Sequence, residues 1–85
     1  MQYTQLGKTD LNVSRICFGC WQLSPRFWGE IDLREWTAAL RASEEVGVNF
    51  IDTADAYGDG FAETSLGDFF AAEGCRDRFV LATKF

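Results

Sequence analysis

Eighty-five residues, 47% of them apolar and 15% aromatic, make one small domain with side chains enough for a core, which excludes a disordered chain. A formal net charge of −5 with eight scattered basic residues excludes nucleic acid and anionic membranes as electrostatic partners. No apolar run approaches the roughly 18–20 residues that a membrane span needs, and Met1-Gln2-Tyr3-Thr4 carries neither the basic nor the apolar region of a secretion signal, so the expected location is the cytoplasm.

In chain order, Tyr3–Leu6 and Leu11–Val13 flank Gly7-Lys8-Thr9-Asp10, whose glycine and aspartate favour a turn, and together they predict a small hairpin. Arg15–Cys20 is a short apolar run that predicts a first buried strand, followed by a loop containing Pro25 and Gly29. Asp32 and Glu35 have capping-box spacing, each carboxylate placed to accept from an otherwise unpaired backbone N–H. Leu33, Trp36, Leu40, Ser43 and Val46 recur at steps of three and four residues and predict an amphipathic helix, stopped by Gly47. Val48–Thr53 reads as a second strand, Asp55 to Gly60 as a polar loop, and Phe61–Glu73 as a second helix with Leu66, Phe69 and Phe70 on one side and Gly74 after it. Phe79–Lys84 completes a third strand. Strands alternating with helices of this length imply crossover connections and an α/β fold with a parallel sheet. One layer of two helices leaves the other face of such a sheet bare, and parallel sheets occur almost only with both faces covered. The expectation is that further residues belong downstream of Phe85, and that residues 1–85 by themselves tend to self-associate through exposed strand edges.

The cysteines Cys17, Cys20 and Cys75 read as reduced thiols. Cys17-x-x-Cys20 has the spacing of half a zinc site, but there is no second pair and no histidine, so these are expected to be small apolar strand residues and no metal site is expected. The chemistry lies elsewhere. In a strand of period two, Val48, Phe50 and Asp52 share a face, as do Val80, Ala82 and Lys84 in the next strand. Asp52 is then expected to point where a buried side chain points, and Lys84 likewise. Each charge is costly there unless paired. Both stand at the carboxyl end of parallel strands, where α/β folds build their sites. Tyr57, in the loop leaving the Asp52 strand, is within reach of both. An ammonium beside a phenol favours the phenolate, which makes the phenol a better general acid toward an oxygen gaining negative charge.

Asp52-Thr53-Ala54-x-x-Tyr57-Gly58, then Glu63-x-x-Leu66-Gly67, then Ala82-Thr83-Lys84 resemble the signature of the aldo-keto reductases. The opening Leu6-Gly7-x-Thr9-x-Leu11-x-Val13-Ser14 and Phe18-Gly19-Cys20-Trp21 are similar to the family's bacterial, general-stress-protein-like branches. The resemblance runs from Tyr3 to Phe85. It implies a (β/α)₈ TIM barrel that reduces aldehydes and ketones with NADPH. Residues 1–85 would be its N-terminal part, a β-hairpin plus three parallel strands and two helices, truncated after the third barrel strand.

By the same resemblance Tyr57 is the proton donor, Lys84 assists it and Asp52 pairs with Lys84. Gly19, Cys20, Trp21 and Asp52 lie near the nicotinamide of NADP(H), and Trp21 also walls the pocket of a small carbonyl substrate. The family's catalytic histidine, at the end of the fourth strand, and its late phosphate-binding loops are not in this sequence, and Gly58-Asp59-Gly60 is a turn rather than a dinucleotide loop. A whole barrel takes about 250 residues, so residues 1–85 alone are expected to be inactive. Some members of the family are channel-associated regulatory subunits, which leaves a non-catalytic binding role as the alternative.

Overall fold

A computed structural model describes residues 1–85. Strands β1 (Tyr3–Gln5) and β2 (Asn12–Ser14) pair antiparallel as the expected hairpin, with Thr4 opposite Val13. The buried polar atoms of Ser14 are satisfied locally: its hydroxyl donates to the Ile16 carbonyl at 2.6 Å and accepts from the Asn49 N–H at 3.1 Å. Asn49 Oδ1 accepts from the Ser14 N–H at 2.7 Å, and the Tyr3 hydroxyl donates to the Gly47 carbonyl at 2.6 Å. These bonds fasten the hairpin to the chain just before the second parallel strand, at the end away from Asp52.

Strands β3 (Phe18–Gly19), β4 (Phe50–Asp52) and β5 (Val80–Ala82) form one parallel sheet in chain order. Gly19 stands in register with Asp52, and Asp52 with Ala82. The first parallel strand is shorter and more open than its apolar run predicts. Only Phe18 and Gly19 pair, while Arg15, Ile16 and Cys17 are exposed. Three residues of hairpin exit, Arg15 to Cys17, separate Ser14 from the sheet, too few both to turn and to run a longer strand.

Two helices follow as expected, with one addition. The loop around Pro25 contains a 3₁₀ turn (Trp21–Leu23) and a short helix α1 (Pro25–Trp28). Proline at the first helical position was the available signal, because its fixed φ suits a helix start and its missing N–H costs nothing there. Helix α2 (Leu33–Glu45) is capped by the Asp32 carboxylate, which accepts from the Arg34 N–H at 2.9 Å. Helix α3 spans Phe61–Glu73 and ends at Gly74. Of the apolar stripe on α2, Trp36 and Leu40 are buried, but Leu33 and Val46 are exposed. A 13-residue helix is about 20 Å long, whereas strands of three residues cover about 10 Å, so both ends of the stripe overhang the sheet.

The core is a single cluster. Ile51 at its centre is fully buried beneath Trp36 and Leu40 of α2 and Ala62, Leu66, Phe69 and Phe70 of α3, with Phe79 closing one side. Burial of each large side chain contributes about 1.5–3 kcal/mol. The ion pairs Arg41–Glu73 and Arg78–Glu44 link the helix layer at the surface and contribute little beside that core. Ile51 and Thr53 face the helices, so Phe50 and Asp52 face the other way, and both are half-buried. The alternation expected along this strand holds, but the assignment of faces is reversed. Asp52 does not point into the core that this chain builds. It stands half-buried on the opposite face of the sheet, where it is paired with Lys84.

Candidate active site

Asp52 is the last residue of β4, and Lys84 lies two residues past the end of β5. The Thr53 N–H donates to the Ala82 carbonyl at 2.8 Å and the Asp55 N–H to the Lys84 carbonyl at 3.1 Å. Pairing between the two chains thus continues beyond the strands and carries Lys84 to the face that Asp52 occupies. There the Lys84 ammonium donates to Asp52 Oδ1 at 2.9 Å, to Oδ2 at 3.0 Å, and to the Thr53 carbonyl at 2.9 Å. Its fourth neighbour is the Tyr57 hydroxyl at 3.4 Å, and Nζ stands 5.2 Å from the centre of the Tyr57 ring. An ammonium has three protons and no acceptor. Carboxylate and carbonyl therefore use most of its capacity and leave the phenol a longer, weaker contact. The hydrogen bond to Asp52 is the main cause that raises the Lys84 pKa above 10.5, and the bond to Tyr57 adds to it, so Lys84 is a fixed cation at neutral pH.

The Tyr57 loop is bent tightly. Gly58 has φ +64, and a Cβ placed on it would lie 2.5 Å from the Leu23 carbonyl oxygen and 2.8 Å from the Phe61 Cβ. Only glycine allows the loop to pass this close beneath the segment that follows β3. The Tyr57 ring packs against the core cluster, and its carbonyl accepts from the Ala62 N–H of α3 at 3.1 Å.

Gly19, Cys20 and Trp21 leave β3 at the same end of the sheet. The Cys20 N–H donates to the Asp52 carbonyl at 3.0 Å. A Cβ on Gly19 would meet nothing within 4 Å, so a flat group has free approach to the sheet beside Asp52. Trp21 is about half exposed and packs tilted against Phe27 and edge-on against Trp28, ring centres 5.9 and 5.5 Å away. Cys20 is buried, as expected of a small apolar residue. Its side chain is fully buried among the core residues, because it alternates onto the helix-facing side with Thr53. Burial pushes its thiol up to about 12. Cys20 can offer a cofactor its backbone but not its side chain. Cys17, three residues earlier, is exposed on the other side. Its thiol is raised first by partial burial and then by the charge of Asp52. The two sulfurs lie on opposite faces and do not form a redox pair.

The structure thus brings together Asp52, Tyr57 and Lys84, with Gly19 and Trp21 beside them. It adds the Thr53 carbonyl as a partner of Lys84, which no side-chain pattern could reveal. It also adds Phe27 and Trp28, hidden in sequence because the proline segment looked like loop.

A model of the aldo/keto reductase family matches residues 15–85. The chain belongs to the aldo/keto reductase family. Aldo-keto reductase YhdN of Bacillus subtilis is 38% identical over 84 residues, which are 99% of this chain and 25% of that protein. A probable voltage-gated potassium channel subunit beta of Oryza sativa is 38% identical over 85 residues, again 99% of this chain and 25% of the relative. Among solved structures, aldo-keto reductase AKR11C1 of Bacillus halodurans in its holo form superposes with a TM-score of 0.83 at 35% identity, over 100% of this chain and 26% of that one. The chain therefore spans about a quarter of the length of the relatives it matches. Its hairpin, parallel strands and helices superpose on part of a TIM barrel. No helix is long and apolar enough to cross a membrane.

Proposed function

We propose that these residues form the opening part of a (β/α)₈ barrel and supply the proton-donating side of an NADP-dependent reductase for small aldehydes and ketones. The observation that carries this reading is the Lys84 ammonium, held between the Asp52 carboxylate and the Tyr57 hydroxyl at the carboxyl end of two parallel strands. Tyr57 donates its proton to the carbonyl oxygen as negative charge develops there. Lys84 stabilises the phenolic oxygen that loses the proton. Asp52 neutralises Lys84 and, with the Thr53 carbonyl, fixes its direction.

The residues present fit a nicotinamide cofactor. Gly19 leaves the sheet open beside Asp52, and Trp21 offers a half-exposed indole above the same strand ends. Gly19, Trp21, Asp52 and the backbone of Cys20 would hold the cofactor, which supplies the hydride when bound. Three free cysteines support a reducing, cytoplasmic setting.

The test is Tyr57→Phe in the full-length protein. Loss of the hydroxyl with the ring retained is expected to lower carbonyl reduction by about 10²–10⁴ while leaving cofactor affinity near wild type. Wild-type turnover in this variant would remove Tyr57 from the mechanism. A second reading, as a regulatory subunit that keeps the site but works by interaction, is favoured by the resemblance to the rice protein named as a channel subunit. Cofactor binding without turnover of any aldehyde by the wild-type protein would select that reading.

A further inference from the structure

Tyr57 and Lys84 belong to different pieces of chain, and the only direct bond between their functional groups is the 3.4 Å contact. Beyond the backbone pairing of Asp55 with Lys84, a side-chain bond ties the two pieces together on the other side of the sheet. Thr83 Oγ1 donates to Glu63 Oε2 at 2.8 Å. Thr83 precedes Lys84, so alternation directs its hydroxyl to the face opposite the ammonium, where α3 lies. Glu63 is the third residue of α3, and the start of that helix is bonded to the Tyr57 loop. The Ala62 N–H donates to the Tyr57 carbonyl at 3.1 Å, the Phe61 N–H to the Gly58 carbonyl at 3.1 Å and the Thr64 N–H to the Gly60 carbonyl at 2.9 Å. A closed ring results, running from Tyr57 through its loop to the first turn of α3, across Glu63 and Thr83 to Lys84, and back to the Tyr57 hydroxyl.

We propose that Glu63 and Thr83 are positioning residues that set the separation of the Tyr57 hydroxyl and the Lys84 ammonium. This rests on the reading of Tyr57 as proton donor. A carboxylate in the first turn of a helix also stabilises the helix whatever else it does. That role predicts loss of stability from Glu63→Ala and no effect from Thr83→Val. The positioning role ties the two residues together, because removal of either opens the same ring.

The test uses the full-length protein with Glu63→Ala, Thr83→Val, the double variant, and the conservative Glu63→Gln and Thr83→Ser. Misplacement of the reacting groups by a fraction of an ångström is expected to lower kcat about 10- to 100-fold in either disrupting variant, with cofactor Kd unchanged. The double variant is expected to be no worse than the poorer single one, since residues acting through one bond do not add. Glu63→Gln and Thr83→Ser keep an acceptor and a donor and are expected to restore most of the rate. A readout independent of activity is the Lys84 side-chain nitrogen followed by NMR, whose titration is expected to move down in the disrupting variants. Folded variants with wild-type kcat and an unmoved Lys84 titration would overturn the positioning role. So would losses that multiply in the double variant, or a Gln variant as poor as Ala. If Glu63→Ala does not fold, Thr83→Val, which preserves shape, decides alone. A Tyr57→Phe control separates the two levels: if it is inactive while the positioning variants are normal, only this inference falls, and if it is active the functional reading falls with it.

Discussion

Gly58→Ala is the substitution with the sharpest structural expectation. At φ +64 an L side chain costs roughly 1–2 kcal/mol relative to glycine. The added Cβ would also lie 2.5 Å from the Leu23 carbonyl oxygen and 2.8 Å from the Phe61 Cβ, so backbone has to move on both sides. Overpacking of this kind costs about 1–3 kcal/mol, which brings the expected loss to about 2–5 kcal/mol. Gly60→Ala is the control: φ is also positive there, at +93, but a Cβ meets nothing within 4 Å. It is expected to show the conformational cost alone, about 1–2 kcal/mol. Urea titration of the two variants of the full-length protein, read by circular dichroism, gives the difference. Because Gly58 follows Tyr57 directly, the variant is also expected to lose turnover beyond its loss of stability, measured well below the unfolding midpoint. Equal midpoints for the two alanine variants, or wild-type turnover in Gly58→Ala, would refute the claim that close approach to Leu23 shapes this loop.

Three further outcomes are expected. Gly19→Ala has no steric cost in the structure, so stability should stay within about 0.5 kcal/mol of wild type, while KM for the nicotinamide cofactor rises; an unchanged KM would remove Gly19 from the cofactor site. Thiol alkylation at pH 8 of the native protein should label Cys17, slowly because its thiol is raised, and spare the buried Cys20 and Cys75; mass spectrometry of the tryptic peptides checks this, and prompt labelling of Cys20 would contradict its burial. The Lys84 pKa is raised in the folded state above 10.5, so its ion pair contributes stability fully at pH values below 10.5 and loses that contribution as pH rises through the raised value. Comparison of wild type with Lys84→Met should therefore show a stability difference that is flat near neutrality and shrinks in strong base, and a difference that grew with pH would reverse the sign of the linkage.

Much of this protein is local in origin and legible in order along the chain. Glycine and aspartate at the hairpin turn, Asp32 before α2, the closing glycines and the apolar spacing of Leu66, Phe69 and Phe70 each act within a few residues, so elements and their order follow from sequence. The grouping of Asp52, Tyr57 and Lys84 was also legible, because strand alternation and the shared carboxyl end of parallel strands are geometric rules independent of detail. Which face of the sheet becomes the core was not. Phe50 and Ile51 are equally apolar neighbours, and only the docking of α2 and α3 made Ile51 the buried one and turned Asp52 toward the opposite face. The same docking carried Cys20 inward and left Cys17 outside. Bonds from a side chain to distant backbone, such as Lys84 to the Thr53 carbonyl, leave no trace in residue type, since every residue offers the same carbonyl. Periodicity assigns residues to faces, but the burial of one face against another is a long-range event, and only tertiary packing supplies it.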